Sequence, residues 1–263
     1  MGNKHLLTPL FTHQVLEAVT HPLVWLAFIL LAFNWGLEAW KWQILASRIE
    51  PISFLDALSG VFTGVCFGMV TPHGIGDYAG RVFQLNTNVR LQAIGAVFVS
   101  RIAQLLITVL VGSGVLLYML YHFKILPYIL LNYTLMVFVI LTNIAFVFLF
   151  FMYKKVCKIF KNRYTKIFLK SILRTNYRQM WVVLALSAIR YGVFATQYIL
   201  LLYYVGIPCS IPVLAAGVAF VFIVKSIIPT FFDIGIREAA AIYFFAAYTA
   251  NACLLYTSDA ADE

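Results

Sequence analysis

The chain has 263 residues, of which 63% are hydrophobic and only 11% are charged, and its formal net charge is +9. Soluble domains are about 45–50% apolar and about 25% charged, so this chain lacks the polar residues that would cover a soluble fold of its size. The composition therefore excludes an ordinary soluble domain and indicates an integral membrane protein, for which lipid is the solvent.

Apolar segments recur along the chain at the length that a bilayer requires, which is about 20 residues per helix. In chain order they cover residues 22–45, 54–71, 93–121, 125–153, 180–204, 211–228 and a last, shortened stretch that begins at 239. We therefore predict an all-α fold, a polytopic transmembrane helix bundle in which residues 1–252 form a single transmembrane domain.

A strongly basic stretch separates the fourth and fifth segments. Residues 154–178 contain nine lysines and arginines and no acidic residue. Because loops of this kind stay on the cytoplasmic side, we predict a cytoplasmic loop in a protein of the bacterial inner (plasma) membrane. A nucleic-acid patch is the alternative, but a basic stretch between two spans favours anionic headgroups. Membrane phospholipids are therefore predicted partners, and nucleic acid is not.

An internal repeat relates two stretches at an offset of 157 residues. The identical pairs are Pro51 and Pro208, Ser53 and Ser210, Gly60 and Gly217, Val61 and Val218, and Pro72 and Pro229. In each copy two prolines bracket a short segment, and a polar turn with glycines follows. Such interrupted segments at matching places in two halves, here roughly 22–121 and 180–252, indicate a transport site. The alternative is two ordinary helix ends, and the sequence leaves open whether the repeats are parallel or inverted.

Glycines at four-residue spacing mark one face of the second segment. Gly60, Gly64 and Gly68 form a ladder of small residues of the kind that lets two membrane helices approach closely. We interpret this ladder as a packing surface.

Ionisable groups inside the segments and near the two turns are candidate substrate-binding groups, because charge is costly in lipid. Helix N-termini favour anions, and arginine offers phosphate a bidentate fork. The carboxylates would hold an ammonium group or neutralise the arginines. Together with the prolines and glycines of the two turns, the candidates are Pro72, Gly74, Gly76, Asp77, Arg81, Arg101, Arg190, Lys225, Pro229, Gly235, Arg237 and Glu238. For each of the charged residues a structural ion pair is an equally open interpretation.

Two ion pairs are predicted from helical spacing alone. Asp77 and Arg81 are spaced i, i+4, which places them on one face if that stretch is helical. Glu38 and Lys41 are spaced i, i+3, and we interpret them as a structural pair outside the candidate site.

The sequence shows no arrangement that is typical of catalysis or metal binding. There is no HExxH motif and no acidic pair with metal-ligand spacing, and the four cysteines are scattered. We therefore predict no catalytic residue, no metal and no cofactor. Two alternatives stay open: a membrane-embedded enzyme that modifies lipids, and a non-transporting membrane partner of a separate synthase.

Three stretches resemble a known family. They are residues 34–42 (NWGLEAWKW), the first turn from 71–72 (TP) to 80–81 (GR), and 224–230 (VKSIIPT) with 235–237 (GIR). They resemble the transmembrane region of lysylphosphatidylglycerol synthases, many of whose members are stand-alone flippase-like proteins. The resemblance implies that the chain binds an anionic or aminoacylated phospholipid or moves it between leaflets. It also implies that the chain is not an enzyme, and it allows a separate synthase or a second copy of the chain as a partner.

The last residues differ from the rest of the chain. Residues 253–263 (CLLYTSDAADE) match what one frame of a common sequencing-library adapter encodes. We interpret them as adapter-derived rather than as a natural polar tail, and we expect the natural sequence to continue beyond residue 252 with further apolar residues.

Overall fold

The computed structural model describes residues 19–71, 74–123, 129–157, 176–207, 209–228 and 235–246. Within these ranges the chain forms eight α-helices and no β-strand, so the predicted all-α bundle is confirmed. The helices are α1 (Pro22–Ala46), α2 (Phe54–Val70), α3 (Gly76–Val82), α4 (Arg90–Phe123, preceded by a 3-10 turn at Thr87–Val89), α5 (Ile129–Cys157), α6 (Tyr177–Tyr204), α7 (Ile211–Ile227) and α8 (Ile236–Phe245). Within the described residues a helix overlaps each predicted apolar segment, and α3 is an additional one.

Four helices, α1, α4, α5 and α6, are long and apolar enough to cross a membrane. The apolar helices α2 and α7 are shorter, with 17 residues each. α1 packs on α2, α4 and α6, and α7 packs on α4, α6 and α8. The chain is thus a multi-pass membrane protein whose two short helices pack among long spans.

The helices α2 and α7 occupy matching positions in the sequence repeat. The offset of 157 residues relates both their first and their last residues. An extended serine precedes each helix, and Ser53 forms a capping box with Asp56 at the start of α2. Ser210 stands at the equivalent position before α7, where Pro212 in the first turn supplies a φ that suits a helix start.

The chain reverses direction after each short helix. Gly74 in the first turn has a φ of 62°, and Gly235 at the end of the second has a φ of 86°, values that a residue with a Cβ rarely adopts. The prolines predicted at these turns, Pro72 and Pro229, lie outside the described residues. So do residues 158–175 of the basic stretch and the tail after 246, so the interpretations of that loop and tail stay predictions.

The first hairpin, α2–α3, enters and leaves the bundle at one end. Gln84 Nε2 donates to Ser59 Oγ at 2.6 Å, so the residues that follow α3 lie beside the start of α2. The backbone N–H and the side chain of Asn86 donate to the carboxylate of Glu50 at 3.1 and 2.5 Å. These bonds connect the segment before α2 to the segment after α3. We refer to this end of the bundle as the Glu50 end.

The second hairpin, α7–α8, begins at the other end of the bundle. α7 follows α6 through the turn at Gly206. The ring of Phe220 in α7 stacks on Tyr243 with centroids 6.2 Å apart. A Cβ at Gly217 would lie 2.2 Å from the ring of Phe245, so the first half of α7 lies beside the end of α8 and the two helices are antiparallel.

The two halves are inverted relative to each other, because α1 and α6 are antiparallel. The ring of His21, at the start of α1, lies 4.7 Å from that of Tyr204 at the end of α6. Near the opposite ends of these helices, Lys41 Nζ donates to Ser187 Oγ at 3.4 Å. Each hairpin follows the end of its long helix, so the hairpins enter from opposite ends, the Glu50 end and what we call the His21 end. The structure thereby decides the choice that the sequence left open.

Glycines allow α3 to lie directly against α2. A Cβ at Gly80 would lie 2.5 Å from the Cα of Gly64, and one at Gly76 would lie 2.1 Å from the carbonyl oxygen of Phe67. These neighbours are backbone atoms, which cannot move aside as a flexible side chain can. A Cβ at Gly64 would also meet the carboxylate of Asp77 at 2.5 Å. The predicted packing role of the ladder is confirmed, and the close contact is what buries the charged side chains of α3.

Replacing Gly80 with alanine should destabilise the protein by about 1–3 kcal/mol, the usual cost of overpacking a filled core. Thermal unfolding in detergent measures the change. Gly114→Ala in α4 is the matched control, since nothing lies within 4 Å of a Cβ there and alanine favours a helix. Equal unfolding temperatures for Gly80→Ala and the wild type would contradict the packing described here.

The inverted arrangement predicts which exposed positions share a side of the membrane. On a background without native cysteines, Arg48→Cys and Tyr177→Cys at the Glu50 end should react with a membrane-impermeant maleimide from the same side. Val19→Cys should react from the opposite side, because the exposed Val19 precedes α1 at the His21 end. Labelling of Arg48→Cys and Tyr177→Cys from opposite sides would rule out this topology.

Candidate functional site

A single carboxylate, that of Glu38 in α1, contacts three cations from three helices. Its Oε2 atom lies 2.8 Å from Lys41 Nζ, one turn further along α1. Arg81 Nη1 of α3 donates to Oε1 at 2.6 Å, and Arg190 Nη1 of α6 lies 3.2 Å from Oε2. Glu38 therefore holds α1, α3 and α6 in one register.

A second carboxylate, that of Asp77, connects α3 to α4. Arg81 Nε donates to Asp77 Oδ1 at 2.8 Å, which confirms the pair predicted from the i, i+4 spacing. Arg101 of α4 donates from Nε to Asp77 Oδ2 at 3.0 Å, and its Nη2 also contacts this oxygen. Arg81 thus lies between the two carboxylates and joins them into one cluster.

Neutral polar groups line the α4–α6 side of this cluster. Gln104 Oε1 accepts from Lys41 Nζ at 3.5 Å and from Arg190 Nη1 at 3.4 Å, and Gln104 Nε2 donates to the carbonyl of Ser187 at 3.4 Å. Two further polar atoms, Asn34 Oδ1 and Ser100 Oγ, are buried and have no hydrogen-bond partner among the described residues. Asn34 lies one turn before Glu38 in α1, and Ser100 precedes Arg101 in α4. Buried orphan atoms of this kind point to water or a ligand.

The cluster carries more positive than negative charge. We refer to its six ionised members as the ion-pair network: Glu38, Lys41, Asp77, Arg81, Arg101 and Arg190. Four are cations and two are carboxylates, so the network has a formal surplus of two positive charges. Opposite charges attract, and more strongly beside a buried centre than in bulk water, so this surplus favours an anion at the network.

Two arginines of the network are accessible, whereas its centre is closed. The side chains of Glu38, Lys41, Asp77 and Arg81 are at most 4% exposed, but that of Arg190 is 22% exposed and that of Arg101 is 45% exposed. The Arg190 Nε atom has no hydrogen-bond partner within the described ranges. A buried centre flanked by two reachable guanidinium groups can bind an oxyanion through bidentate hydrogen bonds.

A cavity of about 420 Å³ reaches the network from the Glu50 end. Its lining includes Trp42, Glu50, Asp56, Gln84 and Arg81. This cavity lies between the α1–α2 connection and the end of α3, so the hairpin itself forms one of its walls.

The predicted residues of the second half lie around the tip of the α7–α8 hairpin. Lys225 lies in the last turn of α7, and Arg237 Nε lies 3.5 Å from Glu238 Oε1 at the start of α8. A Cβ at Gly112 would meet the side chain of Ile223, so this end of α7 lies beside the middle of α4. The prediction that these cations share a cavity with the ion-pair network stays a prediction.

The structure adds residues that the sequence analysis left outside the site. The predicted pair of Glu38 and Lys41 is confirmed at 2.8 Å, but both belong to the ion-pair network rather than to a separate structural contact. Gln104 and Ser187 join them through hydrogen bonds. The sequence did contain a signal for Glu38. It is an acidic residue inside an apolar segment, and other apolar segments contain arginines with no acidic residue nearby in the sequence.

The chemistry that the site offers is dominated by guanidinium and ammonium donors. Over the parts of the chain that the structure describes, no group of three or more His, Cys, Asp or Glu side chains could hold a metal ion. That the protein needs no metal or cofactor stays a prediction.

The comparisons with known proteins give one match. The family model for the lysylphosphatidylglycerol synthase TM region matches residues 12–257, a range that includes both hairpins and the whole ion-pair network. No curated protein and no solved structure matches the chain.

Replacing Glu38 with glutamine should destabilise the protein by about 3–5 kcal/mol, the usual cost of breaking a buried ion pair, because three cations lose their shared carboxylate. Urea or thermal unfolding in detergent measures the loss. Asp56→Asn is the matched control, since this exposed carboxylate caps α2 and has no contact with Glu38 or its three cations, and it should cost about 1 kcal/mol. A Glu38→Gln variant as stable as Asp56→Asn would contradict the central role of Glu38.

Proposed function

Since the chain belongs to the family of the lysylphosphatidylglycerol synthase TM region, we propose that it binds an anionic or aminoacylated phospholipid and moves it between leaflets. The observation that carries this proposal is the surplus of two positive charges in the ion-pair network, whose centre is buried. A lipid phosphate supplies negative charge that the two carboxylates leave unbalanced.

The phosphate binds between the two accessible arginines. Arg101 and Arg190 belong to different helices, α4 and α6, and each is held by a different carboxylate. Asp77 fixes Arg101 and Glu38 fixes Arg190, so both guanidinium groups are oriented before a ligand arrives. This preorganisation lowers the entropy cost of binding, and the remaining N–H groups of each fork are available to phosphate oxygens.

The inverted hairpins supply a path with two openings. The α2–α3 hairpin enters from the Glu50 end and the α7–α8 hairpin from the His21 end, and the tip of the first contacts Arg101 well inside α4. Inverted repeats with interrupted helices and a central site are the usual architecture for alternating access. The headgroup reaches the network from one end and leaves toward the other, while the acyl chains stay in lipid.

An aminoacylated headgroup also carries an ammonium group, for which the second hairpin offers a carboxylate. Glu238 lies at the start of α8 beside Arg237, and its side chain is 14% exposed. We assign Glu238 to the ammonium group and the arginines of the network to the phosphate. This assignment gives opposite charges of one headgroup separate partners.

We place the Glu50 end in the cytoplasm and the protein in the bacterial inner membrane. The basic stretch of residues 154–178 connects α5 to α6, and α6 begins at the Glu50 end. A cytoplasmic position follows the distribution of positive charge in membrane proteins, and there the stretch attracts anionic lipid of the inner leaflet.

A leaflet-resolved assay tests this function. The protein is reconstituted into liposomes with a fluorescent phosphatidylglycerol, and a membrane-impermeant quencher reports the outer leaflet. Arg101→Ala should slow translocation by about tenfold or more, since a hydrogen bond to a charged group contributes about 1.5–3 kcal/mol. Arg101→Lys should also slow it, because lysine lacks the planar fork, but it keeps a positive charge beside Asp77 and should therefore unfold at a temperature closer to that of the wild type than Arg101→Ala does.

Arg48→Ala is the matched control, because Arg48 is exposed and lies outside the network, and it should leave translocation unchanged. Wild-type protein that binds the lipid but never moves it would favour a non-transporting membrane partner instead. Lipid that emerges chemically altered would favour a membrane-embedded enzyme. An Arg101→Ala variant that loses activity only in step with its folded fraction would mean that Arg101 serves folding.

A further inference from the structure

We propose that Asn34 binds a hydroxyl group of the lipid headgroup while Arg101 and Arg190 hold its phosphate, so that the protein prefers anionic lipids with a hydroxyl-bearing headgroup. The inference rests on the proposed lipid-binding function and names the residue that selects among anionic lipids. Charge alone cannot make this selection, because every phosphodiester lipid presents the same negative group to the arginines.

The side-chain amide of Asn34 is buried with its oxygen unpaired. Asn34 is 1% exposed, and its Oδ1 atom accepts no hydrogen bond within the residues that the structure describes. It lies well inside α1, where the backbone N–H groups are already bonded along the helix, so its own helix cannot supply a donor. An amide buried without a hydrogen bond is costly. The donor therefore has to come from a ligand or from water.

A second unpaired atom, of the opposite kind, lies beside the same carboxylate. Arg190 Nε is a buried donor with no hydrogen-bond partner in the described part of the chain, and Nη1 of the same guanidinium lies 3.2 Å from Glu38 Oε2. Asn34 precedes Glu38 by one helical turn, which places both side chains on one face of α1. The surroundings of Glu38 thus offer a charged donor, which suits a phosphate oxygen, and a neutral acceptor, which suits a hydroxyl.

A hydroxyl fits the position of Asn34 better than an ammonium group does. The ion-pair network next to it contains four cations and two carboxylates, so a further positive charge there would be repelled. A hydroxyl brings no charge. It also both donates and accepts hydrogen bonds, so it can bind the amide in either orientation of its oxygen and nitrogen.

The position of Asn34 along α1 agrees with the assignment of an ammonium group to Glu238. Asn34 lies one turn from Glu38 toward the His21 end, because α1 begins at that end. The α7–α8 hairpin, which contains Glu238, enters the bundle from the same end. A headgroup whose phosphate is bound at the network therefore extends toward the second hairpin, with its hydroxyl at Asn34 and any aminoacyl group beyond it.

A further unpaired atom beside the network, Ser100 Oγ, needs no ligand. A serine in a helix can turn its hydroxyl toward the carbonyl four residues before it, and Thr108 donates in this way to the carbonyl of Gln104 at 3.0 Å. An amide oxygen has no such alternative, because it carries no hydrogen to donate. Thr108 also supplies a control, since its hydroxyl is buried on α4 but already bonded within its own helix.

Two soluble lipids of equal charge measure the preference. Short-chain phosphatidylglycerol and short-chain phosphatidylmethanol are titrated separately into the detergent-solubilised full chain, and calorimetry gives both dissociation constants. Their phosphodiester groups are alike, but the methyl headgroup has no hydroxyl. The wild type should bind phosphatidylglycerol about twofold to tenfold more tightly, which is the usual contribution of one hydrogen bond between neutral groups.

Asn34→Leu should bind the two lipids equally, because leucine has a similar size and no polar atom. Asn34→Ala, a second variant in case leucine prevents folding, should lose the preference as well. Thr108→Val is the matched control and should keep the preference of the wild type. Arg190→Lys should weaken the binding of both lipids by a similar factor, because it removes the planar fork for the phosphate and leaves Asn34 in place.

The outcomes separate this inference from the proposed function. A preference that is lost in the Asn34 variants, while phosphatidylmethanol binds them as it binds the wild type, supports the role of Asn34. That role is overturned, while lipid binding stands, if the wild type binds both lipids equally, if the preference persists in both Asn34 variants, or if it also disappears in Thr108→Val. Loss of the preference in Arg190→Lys with unchanged binding of phosphatidylmethanol would assign the hydroxyl to Arg190 instead. No binding of either lipid by the well-folded wild type overturns both the role of Asn34 and the proposed function.

Discussion

The shared carboxylate of Glu38 is the interaction on which the rest of the site depends. Lys41, Arg81 and Arg190 reach it from three helices, and none of these cations could stay charged in an apolar bundle at low cost without it. A lone ion pair would join two helices, whereas Glu38 joins three, and Asp77 extends the cluster to α4. The charges therefore fix the relative positions of long spans whose apolar faces would otherwise allow several registers.

The network exists only because the α2–α3 hairpin is closed so tightly. Gly80 on α3 lies against Gly64 on α2, and this contact places Asp77 and Arg81 inside the bundle instead of at its lipid face. Membrane helices gain little from apolar burial against one another, so close packing of small residues has to supply the attraction. Packing and electrostatics are coupled here, because the glycine contact positions the charges and the charges in turn hold α3 between α1 and α4.

Most of the fold could be predicted from local patterns in the sequence. The apolar segments, the repeat at an offset of 157 and the Asp77–Arg81 spacing each depend on residues close together in the chain or on direct identity. The role of Glu38 could not be read in this way, because Arg190 becomes its neighbour only when α1 and α6 pack antiparallel. The inverted arrangement was hidden for the same reason: it depends on α2 and α3 returning to one end, which the Glu50–Asn86 contact shows.

The two hairpins have the same order of helices but are held by different kinds of contact. This difference indicates which of them can move. The α2–α3 hairpin is held by buried ion pairs, which are costly to separate where water is absent. The contacts between α7 and α8 involve aromatic rings such as those of Phe220 and Tyr243, and apolar contacts of this kind exchange partners without leaving a charge unpaired. If access alternates between the two ends of the bundle, we therefore expect the α7–α8 hairpin to shift against a fixed α2–α3 hairpin. In this arrangement the α2–α3 hairpin keeps the ion-pair network in place, and the α7–α8 hairpin moves relative to it.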